Sequence, residues 1–359
     1  MKTEPFRAVI AADLHMSAKD DLSDSIVSLM RMNRELYDRF AEEIIQSKPD
    51  LFIALGDNTQ SGSAEDMRML RSFLKRLDDQ GIAVIMAAGN HDFDQGSEQA
   101  YRSMFFDLLK PDECDEASLS FSRTFRQYRF ISMDDHEGKY RPGGLLKKET
   151  IDWLEQQLVS AAERIEKVIF LCHHPLHPES WMGRPEFYLL QPEGIREMLA
   201  AHGVKLVFNG HLHDPRIIHS GLYEITLPIL AGGAHMYGTL RLEDNTAVYR
   251  LRQLVFDDPL TAAKAAKKDR AVLEKRREAW LKTLSEKCDE NTAEKCADAL
   301  IRWQIAYNKG ALFRRRDEFF NDPDFTKAME LLKDDIFGRW IRSQYDSGHC
   351  PCDALTIRL

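Results

Sequence analysis

Five short apolar runs in this chain each break off at a cluster of Asp, His or Asn, and that recurrence constrains the fold more than any other feature. Arg7–Ala12 runs into Asp13-Leu14-His15, and Leu51–Leu55 into Gly56-Asp57-Asn58. Ala83–Ala87 precedes Gly89-Asn90-His91-Asp92, Lys167–Cys172 precedes His173-His174-Pro175, and Lys205–Phe208 precedes Gly210-His211-Leu212-His213. Each run reads as a buried strand covered on both faces. Between them, Ile26, Leu29, Leu36, Phe40 and Ile44 recur at helical spacing, as do Met67, Leu70, Leu74 and Leu77, with Ser23 and Ser63 placed as N-caps. In an open α/β sheet the ligand crevice lies at the C-terminal strand edges, so five clusters separated in sequence are expected to converge in space. One such cluster alone is an ordinary loop cap; five together are not.

After about residue 214 the pattern changes to short strands and turns at Arg216–His219, Tyr223–Thr226, Gly238–Leu242 and Ala247–Leu251, which predicts a second, antiparallel-rich sheet. A further change falls at Asp257-Asp258-Pro259. Residues 1–257 carry 29 basic and 40 acidic side chains, whereas residues 258–359 carry 20 and 18. From there on the chain reads as helical throughout: Leu273, Trp280 and Leu284, then Cys296, Leu300, Trp303 and Ala306, then Phe325, Met329, Leu332, Ile336 and Trp340 keep helical spacing. Asn291 followed by Glu294 resembles a capping box, and Pro323 suits a first helical turn. Two domains are therefore expected, 1–257 and a helical 258–359.

The net charge of −9 argues against a nucleic-acid polymer or an anionic membrane as partner, and a small anionic substrate would need a local cation. No apolar run approaches the roughly 20 residues needed to cross a bilayer, and a cytoplasmic protein is expected. Of six cysteines, Cys114 and Cys172 lie far from Cys288, Cys296, Cys350 and Cys352, whose spacing fits no zinc pattern; buried thiols are the default reading. Arg314-Arg315-Arg316 is followed at once by Asp317 and Glu318 and reads as a solvated helix face.

The donors in the five clusters suit metal ions such as Mn, Fe or Zn, and the absence of Cys from all of them argues against a structural zinc. Asp13 and His15, two apart on an extended segment, point to one side, as do His211 and His213. The glycines at 56, 89 and 210 precede candidate ligands and read as relief for close backbone approach.

D-x-H, G-D, G-N-H-D, H and G-H-x-H, in this order over roughly residues 7–257, resemble the calcineurin-like metallophosphoesterase superfamily, and most closely its bacterial class III cyclic nucleotide phosphodiesterases. The resemblance implies an α/β fold, a β-sandwich flanked by helices in α/β/β/α layers, to which an all-α C-terminal extension is added here. It also implies two divalent or mixed-valence ions. Asp13, His15 and His213 would hold one, Asn90, His173 and His211 the other, and Asp57 would bridge them. His91 would contact the scissile phosphate and assist the leaving group, and Asp92 beside it in sequence would favour the imidazolium form. Two ions of this kind activate a bridging hydroxide for attack on phosphorus and neutralise charge built up in the displacement.

Gln60 stands where purple acid phosphatases carry a tyrosine, and Gly56-Asp57-Asn58-Thr59-Gln60-Ser61-Gly62 lacks the Asp and Arg of the Ser/Thr protein phosphatases. A small phosphodiester is therefore the expected substrate, with a 3′,5′-cyclic nucleotide favoured. A phosphomonoesterase or nucleotide pyrophosphatase on the same site is the alternative, and a non-catalytic scaffold ranks last. His174 is expected to point away from His173 in a supporting role. His177, Trp181 and Tyr188 read as exposed loop residues, His235 receives no role, and Asp134-Asp135-His136 is left outside the site. The helical tail is expected either to flank the cleft or to mediate homodimerisation.

Overall fold

The computed structural model describes residues 4–18, 34–136, 143–178, 188–189, 192–232, 234–345 and 349–359. Ser23, Ile26, Leu29 and Trp181 lie outside them. Thirteen strands form among the described residues: β1 Phe6–Ala11, β2 Leu51–Leu55, β3 Ala83–Ala87, β4 Glu113–Cys114, β5 Phe121–Phe125, β6 Tyr128–Ser132, β7 Lys167–Leu171, β8 Leu206–Asn209, β9 Arg216–His219, β10 Tyr223–Thr226, β11 Met236–Glu243, β12 Thr246–Gln253 and β13 Ala354–Arg358. They build a six-stranded sheet in the order β13-β12-β11-β1-β2-β3 and a seven-stranded sheet in the order β4-β5-β6-β7-β8-β10-β9.

The alternation of side chains along the strands explains how the layers hold together. In β6–β8, Phe130, Ile169, Leu171, Leu206 and Phe208 point inward and join β1–β3 in one continuous apolar core. Their neighbours Ile131, Val168, Phe170 and Val207 point outward into a second core, closed by Leu154 of the helix Lys148–Glu163 and Leu199 of the helix Pro192–Ala201. Helices Arg34–Ser47 and Ala64–Asp78 cover the other sheet through Phe40, Leu70 and Leu74, and Ser63 caps the second of them by accepting from the Asp66 N–H. Each fully buried Phe or Leu contributes about 1.5–3 kcal/mol relative to exposure. The continuous apolar reading of these runs thus has a direct cause: both faces are covered.

Three expectations need correction. The strands after residue 214 do not form a sheet of their own. β9 and β10 extend the seven-stranded sheet, with β10 parallel to β8, while β11 runs antiparallel to β1 and carries β12 with it. Met236, Leu240 and Leu242 are buried, which draws β11 into the six-stranded sheet. The five polar clusters accordingly come from two sheets, three from one and two from the other.

Second, the C-terminal segment is not helical throughout. After the helices Pro259–Ser285, Glu290–Asn308, Pro323–Leu331 and Ile336–Ser343, the chain returns and β13 pairs antiparallel with β12, Ile357 opposite Ala247. The helices share a separate apolar core in which the Trp303 ring stacks on Tyr307 and meets Trp340 edge-on, at 5.1 Å in both cases.

Third, the cap of Glu290–Asn308 is Asp289, whose side chain accepts from the Thr292 N–H and hydroxyl; Asn291 is already helical. Asp289→Ala is expected to cost about 1 kcal/mol in urea unfolding, and Asn291→Ala a few tenths at most. Pro323 does sit in the first helical turn, behind Asp322. All six cysteines are free, Cys296 and Cys352 buried, Cys288 and Cys350 half-buried and Cys114 exposed. No helix among the described residues is long and apolar enough to cross a membrane.

Candidate metal centre

All five strand-end clusters meet where the C-terminal edges of the two sheets face one another. Asp13 and His15 follow β1, Asp57 follows β2, and Asn90 to Asp92 open a short helical turn after β3. His173 and His174 follow β7, and His211 and His213 follow β8. Asp13, His15, Asp57, His211 and His213 all adopt positive φ, between 45° and 67°. Left-handed backbone at five non-glycine residues is uncommon and unfavourable, and it persists where the surroundings dictate it. Here it accompanies the convergence of these five side chains on one space.

Glycine is required between them. Gly56 has φ +82°, and a Cβ on it would fall 2.3 Å from the His173 ring nitrogen; a Cβ on Gly89 would fall 2.1 Å from the Asp57 backbone nitrogen.

The donor atoms fall into two sets with Asp57 between. In the first, the Nε2 atoms of His15 and His213 lie 3.3 Å apart, with Asp13 Oδ1 3.3 Å from His213 and 4.0 Å from His15. In the second, His173 Nε2 faces His211 Nδ1 at 3.3 Å. Asp57 Oδ2 lies 3.4 Å from His173 Nε2 and 3.8 Å from His15 Nε2, so one carboxylate oxygen reaches both sets. Ligands bound about 2.0–2.2 Å from one cation lie roughly 3.0–3.5 Å from each other, which matches the closest of these spacings. The Oδ1 of Asn90 is buried with no hydrogen-bond partner among the described residues, as suits a ligand atom. The donor set fits two cations.

Outer contacts fix the rings. His173 donates from Nδ1 to the Leu55 carbonyl at 2.9 Å, which leaves the Nε2 lone pair of the neutral ring facing Asp57 and His211. Asp13 accepts from the His211 N–H at 3.0 Å, and Asp57 Oδ1 from the His91 N–H at 2.8 Å. Burial works against the charge on Asp57, yet His173, His91 and His15 hold its carboxyl well below the ordinary range. Burial also lowers His173, but Asp57, Asp13 and Asp135 outweigh it and bring the ring up to about 10. Cationic charge is strongly favoured there, and a metal competes for the lone pair that would otherwise hold a proton.

His91 lies at the rim, its side chain about one-third exposed and its ring edge-on to His15 at 4.9 Å. Its Nδ1 is 3.1 Å from the Gln60 carbonyl, which can only accept, so that nitrogen carries the hydrogen and Nε2 is left for the site. The carboxylate beside it is not Asp92 but Asp94, 3.3 Å from Nδ1. Asp92 is fully buried and turned the other way. It accepts from the backbone N–H groups of Asn58, Thr59 and Gly89, from the Asn58 side-chain amide and from the Thr59 hydroxyl. The expected pairing of His91 with Asp92 is therefore wrong, because the helical turn at 90–93 sends adjacent side chains to different faces.

Two further residues differ from expectation. His174 does not point away: its ring lies 4.3 Å from that of His211, and its ligand atoms cluster with those of His173 and His211. Asp135 belongs beside the centre, fully buried and accepting from the His173 and His174 N–H groups and from His174 Nδ1 at 3.0 Å. The signal was a third strand, β6, ending in Asp134-Asp135-His136 at the same sheet edge. Its neighbours Asp134 and His136 turn to Glu98, Phe93 and the Leu119 N–H instead. Of the loop residues, His177 accepts from Arg196 at Nδ1, and His235 is tied to the Leu230 carbonyl.

These features, two facing sheets with Asp, Asn and His donors at their common edge, define a metallophosphoesterase. The chain belongs to the calcineurin-like phosphoesterase family, whose model matches residues 6–215, and that family implies a dinuclear divalent metal centre. It is 30% identical over 179 residues to a probable cyclic nucleotide phosphodiesterase of Synechococcus sp., covering 49% of this chain and 63% of that protein. It is 27% identical over 168 residues to a probable glycerophosphodiester phosphodiesterase of Arcobacter nitrofigilis, covering 46% and 56%. The chain thus spans under two thirds of the length of these relatives. Among solved structures, a dimetal phosphatase from Danio rerio shares the fold with a TM-score of 0.59 at 18% identity, covering 70% of this chain and 98% of that one.

Proposed function

We propose that this protein is a dinuclear metal-dependent phosphodiesterase acting on a small diester, with a 3′,5′-cyclic nucleotide as the favoured substrate. The observation that carries the reading is the pair of opposed donor sets linked by one oxygen of Asp57. Asp13, His15 and His213 would hold one ion, Asn90, His173 and His211 the other, and Asp57 both. When bound, two divalent ions supply Lewis acidity at the phosphoryl oxygens and a nucleophile at neutral pH. His91 would hold a proton at Nε2 for the departing oxygen, with the Gln60 carbonyl and Asp94 fixing its ring at Nδ1. Asp135 and the Leu55 carbonyl keep the His173–His174 segment oriented. The preference for a cyclic nucleotide draws on the names of the Synechococcus relative and of one from Xenorhabdus bovienii, 24% identical over 223 residues and covering 59% of this chain and 81% of that protein.

The direct test is hydrolysis of bis(p-nitrophenyl) phosphate and p-nitrophenyl phosphate by protein dialysed against chelator and then loaded with Mn2+. Diester turnover that depends on the metal and exceeds monoester turnover supports the reading. Undiminished rates in excess chelator would overturn the metal mechanism, and a faster monoester would point to a phosphomonoesterase. Asp94→Ala is expected to lower kcat roughly 10- to 100-fold with little change in metal content, since it acts through His91. A shifted limb in the pH–rate profile would accompany that loss.

A further inference from the structure

His213 of the metal centre also lines a cavity of about 240 Å³ whose far wall is not made by the family's matched region. Its near side is the 212–214 turn together with Ile229 and Met236. Its far side is the helical tail: Val272, Leu273 and Arg276 from Pro259–Ser285, Gln304 and Asn308 from Glu290–Asn308, and Trp340. Two polar groups in that wall have unused capacity. Gln304 is 6% exposed; its Nε2 donates to Asn308 Oδ1 at 2.7 Å, while its Oε1 is buried without a partner among the described residues. Arg276, half-buried, makes no ion pair or hydrogen bond among the described residues, although the chain as a whole is acidic. A buried acceptor left unmet costs roughly 1–3 kcal/mol, which a ligand N–H would offset.

We infer that this cavity is the subsite for the organic part of the substrate, and that the group it takes is a nucleobase. The inference rests on the phosphodiesterase reading for its link to catalysis and adds to it the place and the residues that would hold the base. The volume is below the roughly 300–1,000 Å³ of pockets that enclose a drug-sized ligand, so a single ring system is accommodated rather than a whole substrate. The aliphatic side chains of Ile229, Met236, Val272 and Leu273 offer apolar faces to a planar ring. Gln304 Oε1 accepts from a ring or exocyclic N–H, and Arg276 donates to a carbonyl or ring nitrogen or stacks on the ring face. A choline or ethanolamine group matches this less well: its cation meets Arg276 even though Asp214 lies on the near side, choline has no N–H for Gln304, and ethanolamine, which has one, leaves the apolar wall uncovered. Glycerol leaves the apolar wall uncovered. Substrate choice is thereby assigned to the tail, with Gln304 and Arg276 as specificity-determining residues.

The test separates the subsite from the chemistry. Adenosine, guanosine and thymidine are titrated calorimetrically into chelator-treated full-length protein, with choline and glycerol as comparisons. At least one nucleoside is expected to bind, and its affinity to fall at least about tenfold in Gln304→Leu and in Leu273→Trp, which fills the cavity. Near-native melting temperatures of both variants establish that they fold. In the Mn2+-loaded protein the same nucleoside should raise KM for bis(p-nitrophenyl) phosphate and leave kcat unchanged. Absence of nucleoside binding, unchanged affinity in both folded variants, tighter binding of choline or glycerol, or inhibition confined to kcat would overturn the inference. Nucleoside binding in a protein that hydrolyses no ester would leave the subsite standing and remove the catalytic reading.

Discussion

Asp57→Asn should reduce metal-dependent diester hydrolysis by at least about 10³-fold and lower the metal content measured by elemental analysis, although the substitution is nearly isosteric. The reason is the position of a single oxygen. Asp57 Oδ2 lies 3.4 Å from His173 Nε2 and 3.8 Å from His15 Nε2, while Oδ1 is occupied by the His91 N–H. An asparagine can keep the bond to His91 with its carbonyl, but then turns a donor-only NH2 toward both donor sets. Rotated the other way, it serves the sets and strands the His91 N–H. The negative charge among the histidines is lost in either case. Full retention of two ions by the Asn variant would remove Asp57 from the bridging role.

Asp92→Ala should lower stability by about 3–5 kcal/mol, a fall in Tm of roughly 6–20 °C, with activity lost as a consequence rather than through chemistry. Five donors converge on this carboxylate from Asn58, Thr59 and Gly89, at 2.8–3.3 Å, and no water can replace it because it is fully buried. Burial, together with the nearby Asp57, pushes its carboxyl above the ordinary range. A neutral residue of the same shape escapes that burial penalty, so Asp92→Asn should cost less than the alanine variant while still losing the donors its NH2 cannot accept. Scanning calorimetry of the two variants checks the order. A stable Asp92→Ala protein with slow turnover would restore Asp92 to a direct part in proton transfer.

The contrast between His91 and Asp92 shows how far sequence reading reaches. Strand ends and their polar clusters were legible because a buried strand writes an apolar run and a ligand crevice ends it with charged residues. Which way each side chain turns was not legible. Two-residue spacing suggests a shared side on extended backbone, but Asp13, His15, His211 and His213 all have left-handed φ, and Asp92 lies within a helical turn. Asp and His adopt that conformation more readily than most side chains, but most Asp and His residues do not adopt it, so residue type alone does not announce it. Asp94 was overlooked and Asp135 left outside the site for a related reason: each acts on another residue, and spacing along the chain carries no record of such contacts. β13 escaped because Ala354-Leu355-Thr356-Ile357-Arg358 is a short alternating run after a long helical stretch, and only its partner strand gives it meaning.

That last strand changes what the helical tail is. The chain leaves the six-stranded sheet after β12 and comes back to lie along β12 itself, so the helices form an excursion tethered at both ends. Cutting the protein after Asp257 would therefore do more than shear off an appendage. It would strip the outermost ribbon from the sandwich and leave the backbone amides and carbonyls of residues 246–250 bare along one flank, a ready template for a neighbouring chain. The segment that carries the tail's wall of the cavity is, by the same arrangement, the selvedge that keeps the fabric of the main body from fraying.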